Sequence, residues 1–562
     1  TGIAYHTTVG RDRLNRAQKT DWNLRLSQLQ DSNKHLDFLE SEASLDRKGH
    51  IDNLKDIAEQ PNLYPKPSQL YNAAIIAIYN ESYEVLQPTV QAVADNTYDK
   101  DKIIVVIAYE ERGGPETEKT ARRVAKEYAK TFKAIEIVKH PDNMPHEVRG
   151  KGGNITYAGQ YLRDWLKKES ILYSNVIVTT LDSDNRPHKA YFDYVTYEYI
   201  VHPDRKNLSF QPVSLFMNNI WDVPAPMRVI ATGNSFWNII SSVRPHVIRN
   251  FASHSQPMDA LVEMNFWSTR TIVEDGHQYW RSYFHFDGHY GVVPLFVPIY
   301  QDAVLSSTYW RTLKAQFIQL RRWAYGASDV PYVATRVFTK KRKVPLGPTL
   351  ARLIRLLDGH VTLACIAILI AIGGWIPLFV SMEATQSIAA QQLPEIVSRI
   401  QQVALIGLFI TVFFTFKLLP PRPERYKRHR NVFMLAQWLL MPITAIVYSS
   451  ASAFTSQTAL LLGKYFEKFD VSDGLPTNSI NDLIIERGFV WLATMKGLVK
   501  VPTNISSINN NPPSLALVDV LVNQLRSENL FELKHNQNNI TFQLGSVALI
   551  LQNHDGLDLA ST

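Results

Sequence analysis

The sequence predicts an α/β protein: a doubly wound parallel sheet, then membrane helices, then a small β-rich C-terminal region. Three observations carry this expectation. Apolar runs of strand length alternate with helix-patterned stretches from about residue 70, an Asp-Ser-Asp triplet ends one of those runs, and long apolar segments follow residue 345. At 562 residues the chain exceeds one compact domain. The expected division is a helical lead-in over 1–69, an α/β domain over 70–345, a membrane region over 346–463 and a β-rich fragment over 464–562.

The lead-in alternates charge with leucines at roughly helical spacing, as at Leu24, Leu26, Leu29, Leu36 and Leu39, which predicts solvated helices without chemistry. With Thr1 in place of an initiator Met and no signal-peptide core or anchor near its start, the chain reads as a fragment or a processed form. Pro61, Pro65 and Pro67 punctuate a linker, after which Ala73-Ala74-Ile75-Ile76-Ala77-Ile78 has the unbroken apolar character of a buried parallel strand. A helix over 85–94, a strand over 103–108, a helix over 116–131 and a strand over 134–138 follow. A helix after Gly152-Gly153 and a strand over 176–181 complete the alternation. In such sheets ligands gather at the carboxyl ends of the strands, where Tyr79-Asn80-Glu81 and Asp182-Ser183-Asp184 fall.

Composition narrows the function classes. With 45% hydrophobic and 20% charged residues the chain is not a disordered polyelectrolyte. The net charge of +7 crowds around apolar segments instead of interleaving with aromatics, which argues for a membrane-side bias and against nucleic acid as a partner. The single cysteine, Cys365, excludes disulfides within the chain and cysteine-based zinc sites.

Residues 360–380, 402–419 and 431–449 are each apolar over about the length that crosses a bilayer. Lys340, Lys341, Arg342, Lys343, Arg352 and Arg355 precede the first segment, and Lys417, Arg422, Arg425, Lys427, Arg428 and Arg430 separate the second from the third. The intervening loop, 381–399, carries Glu383 and Glu395 against one arginine. By the positive-inside rule the α/β domain faces the cytoplasm, in a multi-pass protein of the cell membrane. Beyond Leu462 the character changes to Asp, Asn, Gly and short β-like runs. Asp473-Gly474-Leu475-Pro476, Asn478-Ser479-Ile480 and Phe489-Val490-Trp491-Leu492-Ala493-Thr494 resemble one blade of the propeller repeat of two-component regulators, and 519–542 resembles the β-sandwich module that follows such propellers. One blade leaves its faces uncovered, which predicts a fragment joined near 464–470 to an unrelated domain.

Asp182 and Asp184 at a strand tip form a hard-cation site, and a divalent ion there lets a protein hold a diphosphate it would otherwise repel. Lys151-Gly152-Gly153-Asn154 sets a cation and two glycines before a helix start, an arrangement suited to an anion. Glu274-Asp275 supplies a carboxylate for general-base work on a hydroxyl. Gln319-Leu320-Arg321-Arg322-Trp323 offers a guanidinium fork for phosphate and a flat indole for a sugar ring. His285, Asp287 and His289 lie close in sequence but lack a third clear ligand, and ordinary hydrogen bonding is expected of them.

The order Asp182-Ser183-Asp184, Glu274-Asp275, Gln319-x-x-Arg322-Trp323, with membrane helices following, resembles the family 2 glycosyltransferases of the cellulose-synthase-like, membrane-embedded kind over about residues 70–449. That resemblance implies a GT-A (Rossmann-like nucleotide-diphospho-sugar transferase) fold, a nucleotide-sugar donor, usually a UDP-sugar, Mg or Mn as cofactor, and inversion at the anomeric carbon. It implies Asp275 as base beside Glu274, Asp182 on the donor, and Asp182 with Asp184 as the metal carboxylates. Tyr79, Asn80, Glu81, Lys151 and Asn154 would bind the donor, and Gln319, Arg322 and Trp323 the diphosphate and acceptor. Where relatives carry two aspartates after the second strand this chain has Glu110 and Glu111, so Glu110 takes the donor-binding place and the base of the nucleotide is left open. Thr232-Gly233-Asn234-Ser235 loosely resembles the family's acceptor-floor loop. The expected product is a polysaccharide. The alternatives are a single transfer to a lipid-linked acceptor, and a non-enzymatic membrane sensor whose β-rich tail binds an outside ligand.

Overall fold

A computed structural model describes residues 2–33, 48–142, 144 and 147–463, with strand segments at 480–486, 489–494, 497–502, 515–522, 525–526 and 540–546. The chain divides into two compact units, Thr1–Phe466 and Glu467–Thr562.

The first unit opens with helices α1 (Gly2–Lys19), α2 (Trp22–Gln30) and α3 (Lys48–Glu59). They are not the solvated lead-in that the charge pattern suggests. Trp22, Leu26, Leu29, Ile51 and Leu54 are buried in the main core, and the Trp22 ring stacks on Tyr194 with centroids 3.7 Å apart. The apolar stripe is narrow, but it meets an aromatic-rich helix that no local pattern announces. Leu36 and Leu39 lie outside the described residues.

The α/β alternation then appears as predicted: β1 (Tyr71–Ile78), α4 (Tyr83–Ala94), β2 (Ile103–Glu110), α5 (Pro115–Glu127), β3 (Ala134–His140), α6 (Lys151–Lys168) and β4 (Val176–Asp182). These strands are parallel in the order β3-β2-β1-β4. Period-two alternation divides them between two cores. Ala74, Ile76 and Ile78 enter the core shared with α4 and α5, whereas Ala73 and Ile75 enter the one filled by Ile155, Ala158, Leu162 and Leu166 of α6. Coverage on both faces is why these strands read as continuous apolar runs.

The rest of the sheet departs from the all-parallel expectation. After β5 (Arg186–Pro187) and α7 (Tyr191–Val201), β6 (Leu208–Leu215) is reached, then α8 (Ala225–Ser242), β7 (Ser255–Pro257), α9 (Met258–Glu263), α10 (Glu274–His285) and β8 (Gly291–Tyr300). The full order is β3-β2-β1-β4-β7-β6-β8-β5, with β7 antiparallel to both β4 and β6. Only three residues long and bearing Ser255 and Gln256, β7 lacks the apolar alternation that marks a strand. Thr179 Oγ1 and Ser255 Oγ lie 2.7 Å apart across that junction. The fold is therefore of the expected α/β class, with a mixed sheet.

One buried histidine makes the lead-in pH-sensitive. His50 of α3 is 4% exposed, its Nδ1 2.8 Å from the Tyr197 hydroxyl and its Nε2 2.9 Å from Gln28 Oε1. Burial, with a smaller contribution from the Arg25 charge, lowers its pKa to about 4. The unfolded chain therefore takes up a proton that the folded one refuses, so stability falls as pH drops from about 6.5 towards 4, by at most about 3 kcal/mol. Thermal unfolding of H50Q across that window should show a correspondingly shallower loss.

Beyond β8 come α11 (Tyr309–Ala324), α12 (Asp329–Val337) and α13 (Leu346–Ile372). Two helical stretches, Leu346–Val380 and Arg430–Leu461, are long and apolar enough to cross a membrane, with only 11% and 28% of their most apolar windows buried. They contain the first and third expected spans. Helix Ile388–Leu418 covers nearly all of the second, much of whose side-chain placement over 404–418 lies outside the described residues.

The second unit holds two small antiparallel sheets. β9 (Ile480–Glu486), β10 (Phe489–Thr494) and β11 (Gly497–Pro502) form a meander, with β10 at the expected strand 489–494. β12 (Leu515–Val522), β13 (Leu525–Arg526) and β14 (Ile540–Ser546) form the other. The expected turn at 473–476 lies outside the described residues.

Candidate active site

The tip of β4, the start of α6, the start of α10 and the segment before β7 converge on one cation. Lys151, the first residue of α6, places Nζ 2.8 Å from Asp182 Oδ1, 3.7 Å from Asp275 Oδ1 and 2.8 Å from the Ala252 carbonyl. Burial alone would lower the Lys151 pKa, but Asp182, then Asp275 and Glu274, outweigh it and hold the ammonium charged. Residues distant in sequence thus open onto the same side of the sheet.

Glycines make this approach possible. A Cβ on Gly152 would lie 2.4 Å from the Ser268 carbonyl and 3.1 Å from Glu274 Cβ, so a side chain there forces α6 away from the segment leading into α10. G152A is expected to cost about 1–3 kcal/mol by overpacking and to weaken substrate affinity at the displaced site; thermal unfolding and KM measurements check both.

The carboxylates have different environments. Asp184 is pushed up to about 7, first by burial and then by the charges of Asp182 and Asp302. Its Oδ2 accepts the backbone N–H of Asp302 at 3.1 Å, and its carbonyl accepts Asn218 Nδ2 at 3.0 Å. Glu274 is 5% exposed, and burial followed by the Asp275 charge raises its pKa well above the carboxylate range, while Lys151 and Arg322 oppose this. Of the acidic pair, Glu274 is thus the member whose surroundings favour the protonated form.

A divalent ion fits this donor set. Asp184 carries like charge on two sides, and the buried Oδ1 of Asp302 has no hydrogen-bond partner. Among the described residues no trio of carboxylates, imidazoles or thiols forms a complete protein cage. Mg or Mn needs none, because such ions are held by one or two carboxylates together with substrate phosphates and water.

The remaining sequence-predicted residues divide by position. Glu81 Oε2 accepts the backbone N–H groups of Tyr79 and Asn80 at 2.6 and 3.1 Å, closing the turn at the tip of β1. Glu110, buried at the end of β2, pairs with Arg112, whose guanidinium lies 4.5 Å from the Tyr79 ring centroid. Asn154 is 1% exposed and spends its Nδ2 on the carbonyls of Ala108, at 2.9 Å, and Ile78, at 3.4 Å. In this arrangement it ties the ends of β1 and β2 together, while its buried Oδ1 has no hydrogen-bond partner. Gln319, Arg322 and Trp323 lie on α11. Gln319 Oε1 accepts Gln316 Nε2 at 3.1 Å, Arg322 is exposed and acts on Glu274, and Trp323 is 39% exposed with its ring centroid 6.1 Å from that of Phe216.

The stretch 232–235 is not a loop. It lies within α8, where Ser235 accepts the Phe216 backbone N–H at 3.0 Å and so holds the ring that faces Trp323. His277, one turn along α10 from Val273, places Nδ1 2.6 Å from Asp329 Oδ1 and so fastens the acidic helix to the segment after Trp323. His285 pairs with Glu263 at 3.2 Å, in keeping with an ordinary role.

Asp302 and His254 escaped the sequence reading. Asp302 follows the carboxyl end of β8 just as Asp184 follows β4, and the same strand-end rule would have found it. His254 is fully buried beside Asp275 and Lys151, and no sequence signal marks it.

Fold and site together define an α/β domain with an acidic, lysine-bridged cluster at its strand tips. Among solved structures the chain is similar to the mannosyltransferase PcManGT from Pyrobaculum calidifontis in complex with GDP-Man and Mn2+, at 16% identity and a TM-score of 0.39 over 67% of this chain and 86% of that one. It is also similar to S. aureus TarS 1-349, at 11% identity and a TM-score of 0.33 over 78% of this chain and 100% of that one. No protein-family model and no curated protein matches the sequence.

Proposed function

We propose that this chain is a metal-dependent, inverting hexosyltransferase of the family 2, cellulose-synthase-like kind. In this reading it moves a sugar from a nucleotide-diphospho-sugar, UDP-linked in the first instance, onto a growing polysaccharide at the cytoplasmic face of the cell membrane. The observation that carries the reading is the joint contact of Asp182 and Asp275 with one lysine, Lys151, in a pocket that Glu274 and Arg322 also reach.

Asp275 takes the proton from the acceptor hydroxyl as that oxygen attacks the anomeric carbon and the diphosphate leaves from the opposite face. Lys151 keeps Asp275 oriented, and burial favours the protonated form of the neighbouring Glu274. Arg322 receives the diphosphate, and Trp323 with Phe216 offers a face to the acceptor sugar. Asp182 and Asp184 would hold Mg or Mn, which when bound neutralises charge on the departing diphosphate. Apolar stretches Leu346–Val380 and Arg430–Leu461, largely uncovered by protein, support membrane residence, and their basic flanks support the cytoplasmic orientation.

The test is nucleotide release by the purified chain from a panel of UDP- and GDP-sugars, with and without Mn. Product size on labelled donor separates polymer from single transfer. Spectroscopically measured Mn binding in the presence of nucleoside diphosphate should weaken by more than about tenfold in D184N, since even an outer-shell change brings that much. Donor turnover untouched in both D184N and D275N would end the proposal and leave the sensor reading.

A further inference from the structure

A polar cavity lies where the α/β domain meets the start of α13, lined by none of Lys151, Asp182, Asp184 or Asp275. It encloses about 290 Å³ and is lined by His246, Tyr279, Tyr290, Pro348, Arg352 and Arg355 among others, with no carboxylate in its wall. Arg352 makes only neutral contacts: Nε lies 3.3 Å from the Tyr279 hydroxyl, and Nη1 3.5 Å from the Tyr283 hydroxyl and from the Pro348 carbonyl. Arg355 is exposed, and among the described residues neither arginine has an acidic partner. Two uncompensated guanidiniums and tyrosine hydroxyls around one hollow make a receptor for a phosphate group.

The position on α13 narrows the phosphate's source. Apolar sequence begins at Val361, so Arg355 and Arg352 stand about 9 to 14 Å before it along the helix axis at 1.5 Å per residue. With long side chains that distance corresponds to the headgroup layer, outside the hydrocarbon. Ile354 and Leu357, on either side of Arg355 in sequence, are 57% and 49% exposed and give acyl chains an apolar surface next to the cationic hollow.

We infer that this cavity binds the phosphate of an anionic glycerophospholipid, seating the α/β domain on the membrane surface. The inference rests on the membrane reading above but not on sugar transfer, so its test needs no substrate. Full-length protein in neutral detergent is titrated with phosphatidylglycerol, with phosphatidylcholine, or with inorganic phosphate, and its Tm is followed. Phosphatidylglycerol should raise Tm, and R355Q, which breaks no bond inside the folded protein, should need at least threefold more lipid for the half-maximal shift. R352Q should lose more.

An equal shift with phosphatidylcholine, a full shift with inorganic phosphate alone, or an unchanged R355Q would overturn the inference. So would a shift abolished by K340Q/K341Q and not by R355Q, because that places the effect on the exposed basic run. Flotation with pure phosphatidylcholine vesicles separates the two readings. Protein that floats but has no preference for phosphatidylglycerol sinks only the lipid site, whereas protein that floats with neither vesicle type sinks membrane residence as well.

Discussion

Asp275→Asn should reduce sugar transfer about 10³-fold, within the range a general base contributes, while donor affinity changes little. The amide keeps the shape of the side chain and its place beside Lys151, so binding geometry survives and only the proton acceptor is lost. Glu274 is the poorer base, because burial and the Asp275 charge favour its protonated form. Steady-state kinetics with saturating donor read the result as a fall in kcat at nearly constant KM. A fall confined to KM would instead assign Asp275 to binding.

Lys151→Met should produce the largest loss of stability. The ammonium is the positive partner of Asp182 and Asp275 and lies close to Glu274, so its removal leaves part-buried negative charge without compensation. Deleting one partner of a fully buried pair costs about 3–5 kcal/mol, and solvent at the part-exposed Asp182 brings the expected loss to about 3 kcal/mol. Chemical denaturation of the full chain measures it. The same experiment carries an internal check: Mn or Mg should restore stability to K151M by a larger margin than it adds to the wild type, because a cation at Asp182 offsets part of the missing charge. K151R, which retains the charge with a bulkier head, should fall between the two. A K151M protein as stable as the parent, and indifferent to divalent ions, would remove the lysine-bridged pocket from consideration.

The parallel half of the fold was legible because its strands are covered on both faces. That burial forces continuous apolar runs such as Ile103–Glu110, all eight of whose residues are buried, and such runs stand out without any tertiary knowledge. The tips of those runs were legible for the same reason, since carboxylates at 182 and 184 interrupt an otherwise apolar stretch. The mixed half, where β7 and β5 run antiparallel to their neighbours and β6 is parallel to β8, was not. β6 carries Ser209, Gln211 and Ser214, buried against Asn250, Ser253 and Gln301, and β7 is too short for a pattern to register. Polar residues satisfied by distant partners look, in sequence, like a loop.

The same limit applied to roles. Asn154 shares a motif with Lys151, yet the lysine meets Asp182 while the amide nitrogen of Asn154 goes to strand carbonyls; helical geometry turns positions three apart through most of a revolution, and packing decides what each meets. The lead-in helices appeared solvated because Trp22 and Leu54 bury themselves against Tyr194 and its neighbours, whose contribution is visible only after folding.

By itself the sequence determined the α/β alternation, the acidic strand tip, the acidic pair, the arginine-tryptophan helix and the apolar stretches beyond them, all of which follow from local periodicity and residue chemistry. Tertiary structure alone decided that Lys151 joins Asp182 to Asp275, that burial raises the pKa of Glu274, that Asp302 and His254 belong beside them, and that Arg352 and Arg355 open onto a hollow of their own. Those facts depend on distances between segments a hundred or so residues apart and on the low-dielectric surroundings that burial creates. Neither leaves a trace in the order of residues along the chain.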